Sequence, residues 1–463
     1  MLSSYFTHQS DIMESQRMLF VNDIIFGLLF LFAIHLYCKR HVNRKYPDSP
    51  LAKYFRWAIY ARLAGAVLSA MIFDFYYDAG DTASYFRLVL MMKQVFLSAP
   101  REYFHILVNN ADDLGRPYIE QFFSYGWLSI LFFDKSTALL LKLGSVIGLF
   151  CFNSYIIISF VFTIFSFVGC WKIYKVFYEI YPSLHKQLAI AILFVPSVCF
   201  WGSGFMKEPL CMGALGIFFY SLNSIIYKRK RVLLHLILVA MMIKILTSIK
   251  VYILLCFAPV YIWWLILRTQ TLIANKYFKY LFLPAILIMG IFGSLYIFQY
   301  IQRMASASQY TLENIVTTVK NTQNWLTISN EQSNGSGYSL GNMNFTKEEF
   351  PRLFLKAVNV SLFRPYLWEA KKLIIIPSAI ESLITLLLSL YVLFKARLSL
   401  IPIIMTNAEV QLCLMFSIAF AFAVGLASYN FGALARYKIP LLPFYFTALV
   451  IIWHESKRRK QKV

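Results

Sequence analysis

The chain is poor in charge and poorer still in acid. Only 14% of its 463 residues are charged, where a soluble domain carries about 25%. Its 22 acidic residues stand against 44 basic ones. So little charge excludes an ordinary water-facing globular surface. Seven cysteines (Cys38, Cys151, Cys170, Cys199, Cys211, Cys256 and Cys413) lie in or beside apolar runs. Their spacing fits neither a disulfide framework nor a metal-ligand pair, so packing is their expected role. The histidines His35, His41, His105, His185 and His235 are scattered, and no metal site is expected. The first apolar run follows a mixed-charge tail (Asp11, Glu14, Arg17) without a small-residue cleavage site, so a cleavable signal is not expected. No internal repeat and no separate soluble domain is visible.

What the chain has instead is apolar length. Hydrophobic residues make up 59% and aromatics 18%. Repeated runs long enough to cross a bilayer imply an all-α, polytopic helical membrane protein, because a helix satisfies its own backbone hydrogen bonds in lipid. The whole of 1–463 reads as one integral membrane domain of about eleven transmembrane helices. Two outer-face loops interrupt it, 74–135 and 302–372. The net charge of +22 does not imply nucleic acid. The basic residues come in short bursts between apolar runs, as the positive-inside rule expects, and suit anionic lipid on the cytoplasmic side.

Those bursts orient the chain. A first span at about 19–37 is followed by Lys39, Arg40, Arg44, Lys45, Lys53 and Arg56, which places the N-terminus outside. A second span, about 57–73, returns to the outer face and delivers Asp74-Phe75-Tyr76-Tyr77-Asp78-Ala79-Gly80-Asp81. Aromatic and charged residues then alternate as far as about 133, which reads as short amphipathic helices on the outer surface. The run 137–152 is apolar but short, and is taken as non-spanning. Further spans are expected at about 154–174, 188–200, 210–227, 232–248, 251–267, 281–300, 373–394 and 410–428. The last span ends in Lys457-Arg458-Arg459-Lys460, in the cytoplasm. The quartet Lys228-Arg229-Lys230-Arg231 is the strongest orientation marker, and it puts Lys207 and Glu208 outside. Asn334-Gly335-Ser336-Gly337-Tyr338 reads as a flexible, turn-rich loop.

The charges that break the positive-inside pattern carry the chemistry. Lys207, Lys250, Arg364, Arg436 and Lys438 all fall outside, near span ends, as do Asp78, Asp81, Glu208 and Glu369. Each would cost about 2.5–3.5 kcal/mol at mid-bilayer, so a wet or paired cavity at the outer face is expected. Several cations there suit a phosphate or pyrophosphate, Arg as a bidentate fork and Lys as a point charge. A nearby Asp suits a general base acting on an incoming hydroxyl. Trp201 and Trp368 are the sugar-stacking candidates.

Each residue also has a plainer reading. Asp78 and Asp81 suit helix caps, while Gly80 between them suits either a turn or a ligand's close approach. Lys207-Glu208-Pro209 suits the first turn of a span. Trp201 suits an interface anchor. Arg364 and Glu369 suit a mutual pair worth about 0–1 kcal/mol if exposed. Arg436 and Lys438, beside Pro440 and Pro443, suit snorkelling cations. Glu381, inside a span, needs a partner or water.

Three motifs stand out: Pro196-Ser197…Phe200-Trp201-Gly202-Ser203-Gly204…Lys207-Glu208, then Phe363-Arg364-Pro365-Tyr366-Leu367-Trp368-Glu369, and Asn430-Phe431-Gly432…Arg436-Tyr437-Lys438-Ile439-Pro440-Leu441-Leu442-Pro443. They resemble those of bacterial multi-spanning proteins from surface-polysaccharide gene clusters, of Bacteroidetes type. The layout is similar to glycosyltransferases of the C superfamily (GT-C) and to O-antigen polymerases. That resemblance implies a polyprenyl-phosphate-linked sugar as donor and a site facing the periplasm, with Asp81 as base and Asp78 assisting. Two departures stand out. The acidic motif follows the second span rather than the first, and Asp-x-Asp spacing is absent.

The expectation is therefore a transferase of the bacterial inner membrane. It would move a sugar or oligosaccharide from a polyprenyl-linked donor to an acceptor in cell-surface polysaccharide assembly. Lys207, Lys250, Arg364, Arg436 and Lys438 would hold phosphate, with Glu208 orienting Lys207. The expected partners are membrane lipid, the lipid-linked glycan and other polysaccharide-assembly proteins, with no nucleic acid, no metal and no further cofactor. A transporter or flippase for the same glycan, or a non-catalytic scaffold of an envelope machine, is the alternative.

Overall fold

A computed structural model describes residues 18–77, 80–123, 129–270, 336–340 and 349–461. Contacts along the chain separate two units: Met1–His185 with Val198–Lys250 form unit 1, and Lys186–Ser197 with Val251–Val463 form unit 2. Regular structure among the described residues is helical. The β-type pairing there is an isolated bridge between Gly337 and Asn430.

Unit 1 opens with α1 (Val21–Lys45) and α2 (Pro50–Phe75). The Ser49 hydroxyl accepts from Leu51 N–H and Pro50 occupies the first turn, a favourable start for α2. In α1 the buried positions are Asp23, Gly27, Ile34, Cys38 and Val42, one stripe at helical spacing. Its other face exposes Ile24, Ile25, Leu28, Leu29 and Phe32, which suits lipid and not water. Four helices follow: α3 (Gly80–Ser98), α4 (Pro100–Val108), α5 (Ala111–Leu114) and α6 (Arg116–Phe122). The stretch expected to hold short surface helices thus begins with a 19-residue helix. Thr82–Phe86, Leu88, Val89, Met91, Met92 and Val95 of α3 are buried, and it packs on α7 (Lys135–Phe150). Its buried apolar face explains why α3 folds into the unit instead of lying on an interface.

The centre of unit 1 is α8 (Tyr155–Ile180), which packs on α1, α2 and α11 (Lys207–Asn223). Glycines bring α8 and α11 into backbone contact. A Cβ on Gly216 would lie 2.0 Å from the Gly169 carbonyl oxygen, and one on Gly169 would lie 2.5 Å from the Gly213 Cα. Along the chain between α8 and α11 come two short helices, α9 (His185–Leu193), which belongs to unit 2 from Lys186 onward, and α10 (Pro196–Trp201), which belongs to unit 1 from Val198 onward. A π-helical turn, Ser224–Lys228, ends α11 and leads to α12 (Val232–Ile249).

Unit 2 contains α13 (Val251–Gln270), α14 (Phe350–Phe363), α15 (Ile376–Ala396), α16 (Leu400–Thr406), α17 (Ala408–Ala427), α18 (Phe431–Tyr437) and α19 (Leu442–Lys460). Here α17 packs on α13, α14 and α19, and α15 packs on α19. Gly425 of α17 again allows close approach, since a Cβ there would sit 2.3 Å from the Ala357 carbonyl oxygen.

The protein is a multi-pass, all-α membrane protein. Among the described residues eight helices are long and apolar enough to cross a bilayer, or nine if the bent pair α18–α19 forms one span. Of the eleven expected spans, one is broken and one is not among the described residues. The span at 188–200 is divided between α9, of nine residues, and α10, of six. Pro196 explains the break, because it removes a backbone donor and disfavours helix in the residue before it. The span at 281–300 lies outside the described residues, as does most of the loop 302–372. The short run 137–152 falls largely in α7, whose 16 residues are fewer than a span needs.

Candidate functional site

Each unit brings some of the sequence-named residues together: Glu208 with Lys250 in unit 1, and Arg364 with Glu369 and Lys438 in unit 2. In unit 1 the tight turn Gly202–Met206 delivers Lys207 and Glu208 to the first turn of α11. Gly204 has φ +87°, a conformation open to glycine. Arg62 of α2 holds this turn from below. Its Nη1 donates to Ser166 Oγ at 2.9 Å and to the Gly202 carbonyl at 3.4 Å, and its Nη2 reaches Cys170 Sγ at 2.9 Å.

Lys207 Nζ lies 2.8 Å from Asp134 Oδ2 and 2.7 Å from Ser136 Oγ. Asp134 is also the N-cap of α7, accepting from the backbone N–H groups of Ser136 and Thr137. Burial pushes the Asp134 carboxyl up, but the Lys207 charge and hydrogen bonds from Lys207, Thr137 and Ser136 outweigh it and hold the group at about 2. Glu208 is buried and meets Lys250 Nζ at 3.0 Å through Oε1. Lys207 and Lys250, both expected to hold phosphate, thus each have a carboxylate of the protein as partner. Trp201 is half-buried and packs edge-on against Phe73 and Phe200. Asp81 is exposed in the first turn of α3, just after Gly80 at φ +70°. Asp78 lies outside the described residues.

Unit 2 builds the richer site. After α14, Arg364 turns back on Glu369. Its Nε donates to Oε2 at 3.0 Å, its Nη2 donates to Oε1, and the Tyr366 N–H also donates to Oε2 at 2.8 Å. Burial would raise the Glu369 carboxyl, yet these donors and the Arg364 charge hold it below its ordinary value. The Arg364 guanidinium carbon lies 5.8, 5.7 and 5.5 Å from the ring centres of Tyr338, Tyr366 and Phe431. That is cation–π distance, and the rings leave Nη1 without a hydrogen-bond partner among the described residues. Trp368 stacks on Tyr366 with centroids 4.9 Å apart and is 81% exposed.

Joined to Arg364 is Lys438, at the break between α18 and α19, and it is 1% exposed. Its Nζ donates to Ser382 Oγ at 3.1 Å and to the Arg364 carbonyl at 3.5 Å, while Ser382 Oγ itself donates to that carbonyl at 3.0 Å. Glu381 lies within electrostatic reach of Lys438. One Glu381 oxygen accepts from Ser197 N–H at 2.8 Å; the other is buried without a partner among the described residues. Arg436, the remaining phosphate candidate, is half-buried in the last turn of α18 beside the Tyr437 ring.

Of the loop expected at 334–338, residues 336–338 are described, and they are irregular in backbone but tied down. Ser336 and Tyr338 are buried, Gly337 bridges Asn430, and Tyr338 OH donates to the Gly425 carbonyl at 2.9 Å. Sequence reasoning also missed Asp134, Ser136, Arg62, Ser382 and Tyr338. Of these, the Asp134-Lys135-Ser136-Thr137 cap pattern and a lone arginine inside a span were signals in plain view. Among the described residues no three His, Cys, Asp or Glu side chains gather as a metal site. Comparison with known proteins finds no matching family model, no matching curated protein and no matching solved structure, and so ties the chain to neither the GT-C nor the O-antigen polymerase family.

Proposed function

We propose that the chain is a membrane-embedded transferase that moves a sugar or oligosaccharide from a polyprenyl-phosphate-linked donor to an acceptor of a cell-surface polysaccharide. One observation carries this reading: the Arg364 guanidinium, with three aromatic rings around it, adjoins Tyr366, on which the exposed Trp368 stacks, and the Arg364 backbone carbonyl accepts from buried Lys438. The Nη1 edge of Arg364, without a hydrogen-bond partner among the described residues, suits a phosphate oxygen, and the Trp368 face suits the C–H surface of a sugar ring. Asp81 is the proposed general base, with Asp78 assisting. The positive-inside pattern supports an outer-face site in the bacterial inner membrane, with the N-terminus outside.

A second reading, a transporter for the same lipid-linked glycan, draws on a different observation. The α18–α19 pair bends by 67° with Lys438 at the break, and Glu381 has a buried oxygen without a partner among the described residues. Broken helices with buried charge are a transporter device. Reconstitution separates the two. Proteoliposomes given a polyprenyl-pyrophosphate-linked oligosaccharide and acceptor should form a new glycosidic bond, and Arg364→Lys should slow it. Donor crossing the bilayer with no new bond would favour the transporter.

A further inference from the structure

Unit 1 carries a second charged cluster that the proposed transferase does not use. It lies at the opposite end of α11 from Lys207. Three lysines converge on one ring, with Lys172, Lys228 and Lys175 Nζ standing 4.0, 4.7 and 5.3 Å from the centre of Tyr220. Lys172 and Lys175 share a face of α8 because they are three residues apart. Lys45, at the end of α1, is within electrostatic reach of Lys172 as well.

The π-helical turn sets the convergence. Eight residues of regular α-helix would leave Lys228 about 80° round the axis from Tyr220. The wide turn at Ser224–Lys228 absorbs roughly one residue and returns Lys228 to the Tyr220 face, to within about 20°. Lys228 Nζ then also donates to Tyr220 OH, at 3.4 Å. Such a turn gives up regular hydrogen bonding, and here it brings a cation toward other cations. Arg229 and Arg231 follow, both with positive φ, and His235 packs against Tyr220 from α12.

Against four lysines stands one carboxylate in contact among the described residues, Glu179, which meets Lys228 at 2.6 Å. Lys172, Lys175 and Tyr220 are half-buried, so water screens them less than it would a free surface. Ammonium groups held close in this way have excess positive charge to neutralise, and a Tyr ring offers only the weak pole of its face. A phosphate supplies what is missing, because its oxygens can accept from several ammoniums at once.

We propose that Lys172, Lys175 and Lys228, gathered on Tyr220, form a binding site for a phosphate group, carried by an anionic phospholipid headgroup or free in solution. The proposal does not rest on the transferase reading. The charge bursts assign this end of the helices to the cytoplasmic face, where anionic lipid is available.

The test uses the full chain purified in neutral detergent. Native mass spectrometry counts bound phosphatidic acid against phosphatidylcholine, and thermal melting reads protection by inorganic phosphate. Lys172→Gln with Lys175→Gln should weaken the preference for phosphatidic acid by about tenfold or more. Lys172→Arg with Lys175→Arg should keep it, since the charge remains. Loss of lipid binding in the Gln variant assigns a headgroup; loss of phosphate protection assigns a free ion. Should the double variant fail to fold, Lys228→Gln alone reads the same site. Equal binding by the wild type and the Gln variant with both probes, or no binding of either probe by the wild type, overturns the proposal.

Discussion

Lys438 and Arg364 share a hydroxyl: Ser382 Oγ accepts from the lysine at 3.1 Å and donates to the arginine's carbonyl at 3.0 Å. A buried ammonium is thereby fastened to the backbone of the residue whose side chain faces the exposed aromatic stack. Lys438 donates to a hydroxyl and a carbonyl, with Glu381 in electrostatic reach but not in a salt bridge with it, and Ser382 keeps the Arg364 carbonyl satisfied without it. Lys438→Met should therefore cost only about 1–3 kcal/mol in folding while lowering transfer about a hundredfold or more. Melting in detergent and turnover on the lipid-linked donor read the two effects separately.

Glu208 and Lys250 should behave in the opposite way. Their side chains are 3% and 10% exposed, so removing one partner strands a buried charge. Glu208→Leu or Lys250→Met alone should cost about 3–5 kcal/mol, and the two together should recover much of that loss. Denaturant unfolding of the four proteins measures the coupling, and additive losses would show that the pair is not coupled.

The Lys207–Asp134 pair should respond to acid. The folded Asp134 carboxyl sits at about 2, against an ordinary 3.8. Its contribution is therefore fully present above about pH 4 and is lost as pH falls through 3.8 toward 2. The Asp134 side chain is 51% exposed, so screening keeps the effect below about 1 kcal/mol. Asp134→Asn should flatten the stability profile between about pH 4 and pH 2 and leave it unchanged near neutrality in shape.

Where α8 meets α11, bulk should be refused. A side chain at Gly216 runs into the backbone of Gly169, which cannot swing aside as a flexible side chain can. Gly216→Val should destabilise by about 1–3 kcal/mol or more, read as a lowered melting temperature. Leu233→Val, at an exposed position of α12, should leave melting nearly unchanged.

These residues also mark what could be read in advance. Apolar run length located the long helices, because crossing lipid demands it. The division at Pro196 was written in the sequence, but the apolar composition continued across it and masked the break. Partners were harder to read. Asp134 lies 73 residues from Lys207 and Glu208 lies 42 from Lys250, so only the packing of helices brings them together. Tyr338 looked like loop because its neighbours are Gly and Ser, whereas its burial comes from pairing with a segment some ninety residues on. The Arg364–Glu369 pair was legible because it is local, closed within five residues.

The lipid-linked glycans of cells lacking the protein test the transferase reading most directly. Without it, the polyprenyl-linked donor should accumulate. The wild-type chain should clear it, while Asp81→Asn and Arg364→Lys, present at normal level in the membrane, should not. A lipid-linked pool and surface glycan unchanged by deletion, or cleared equally well by both variants, would contradict the account.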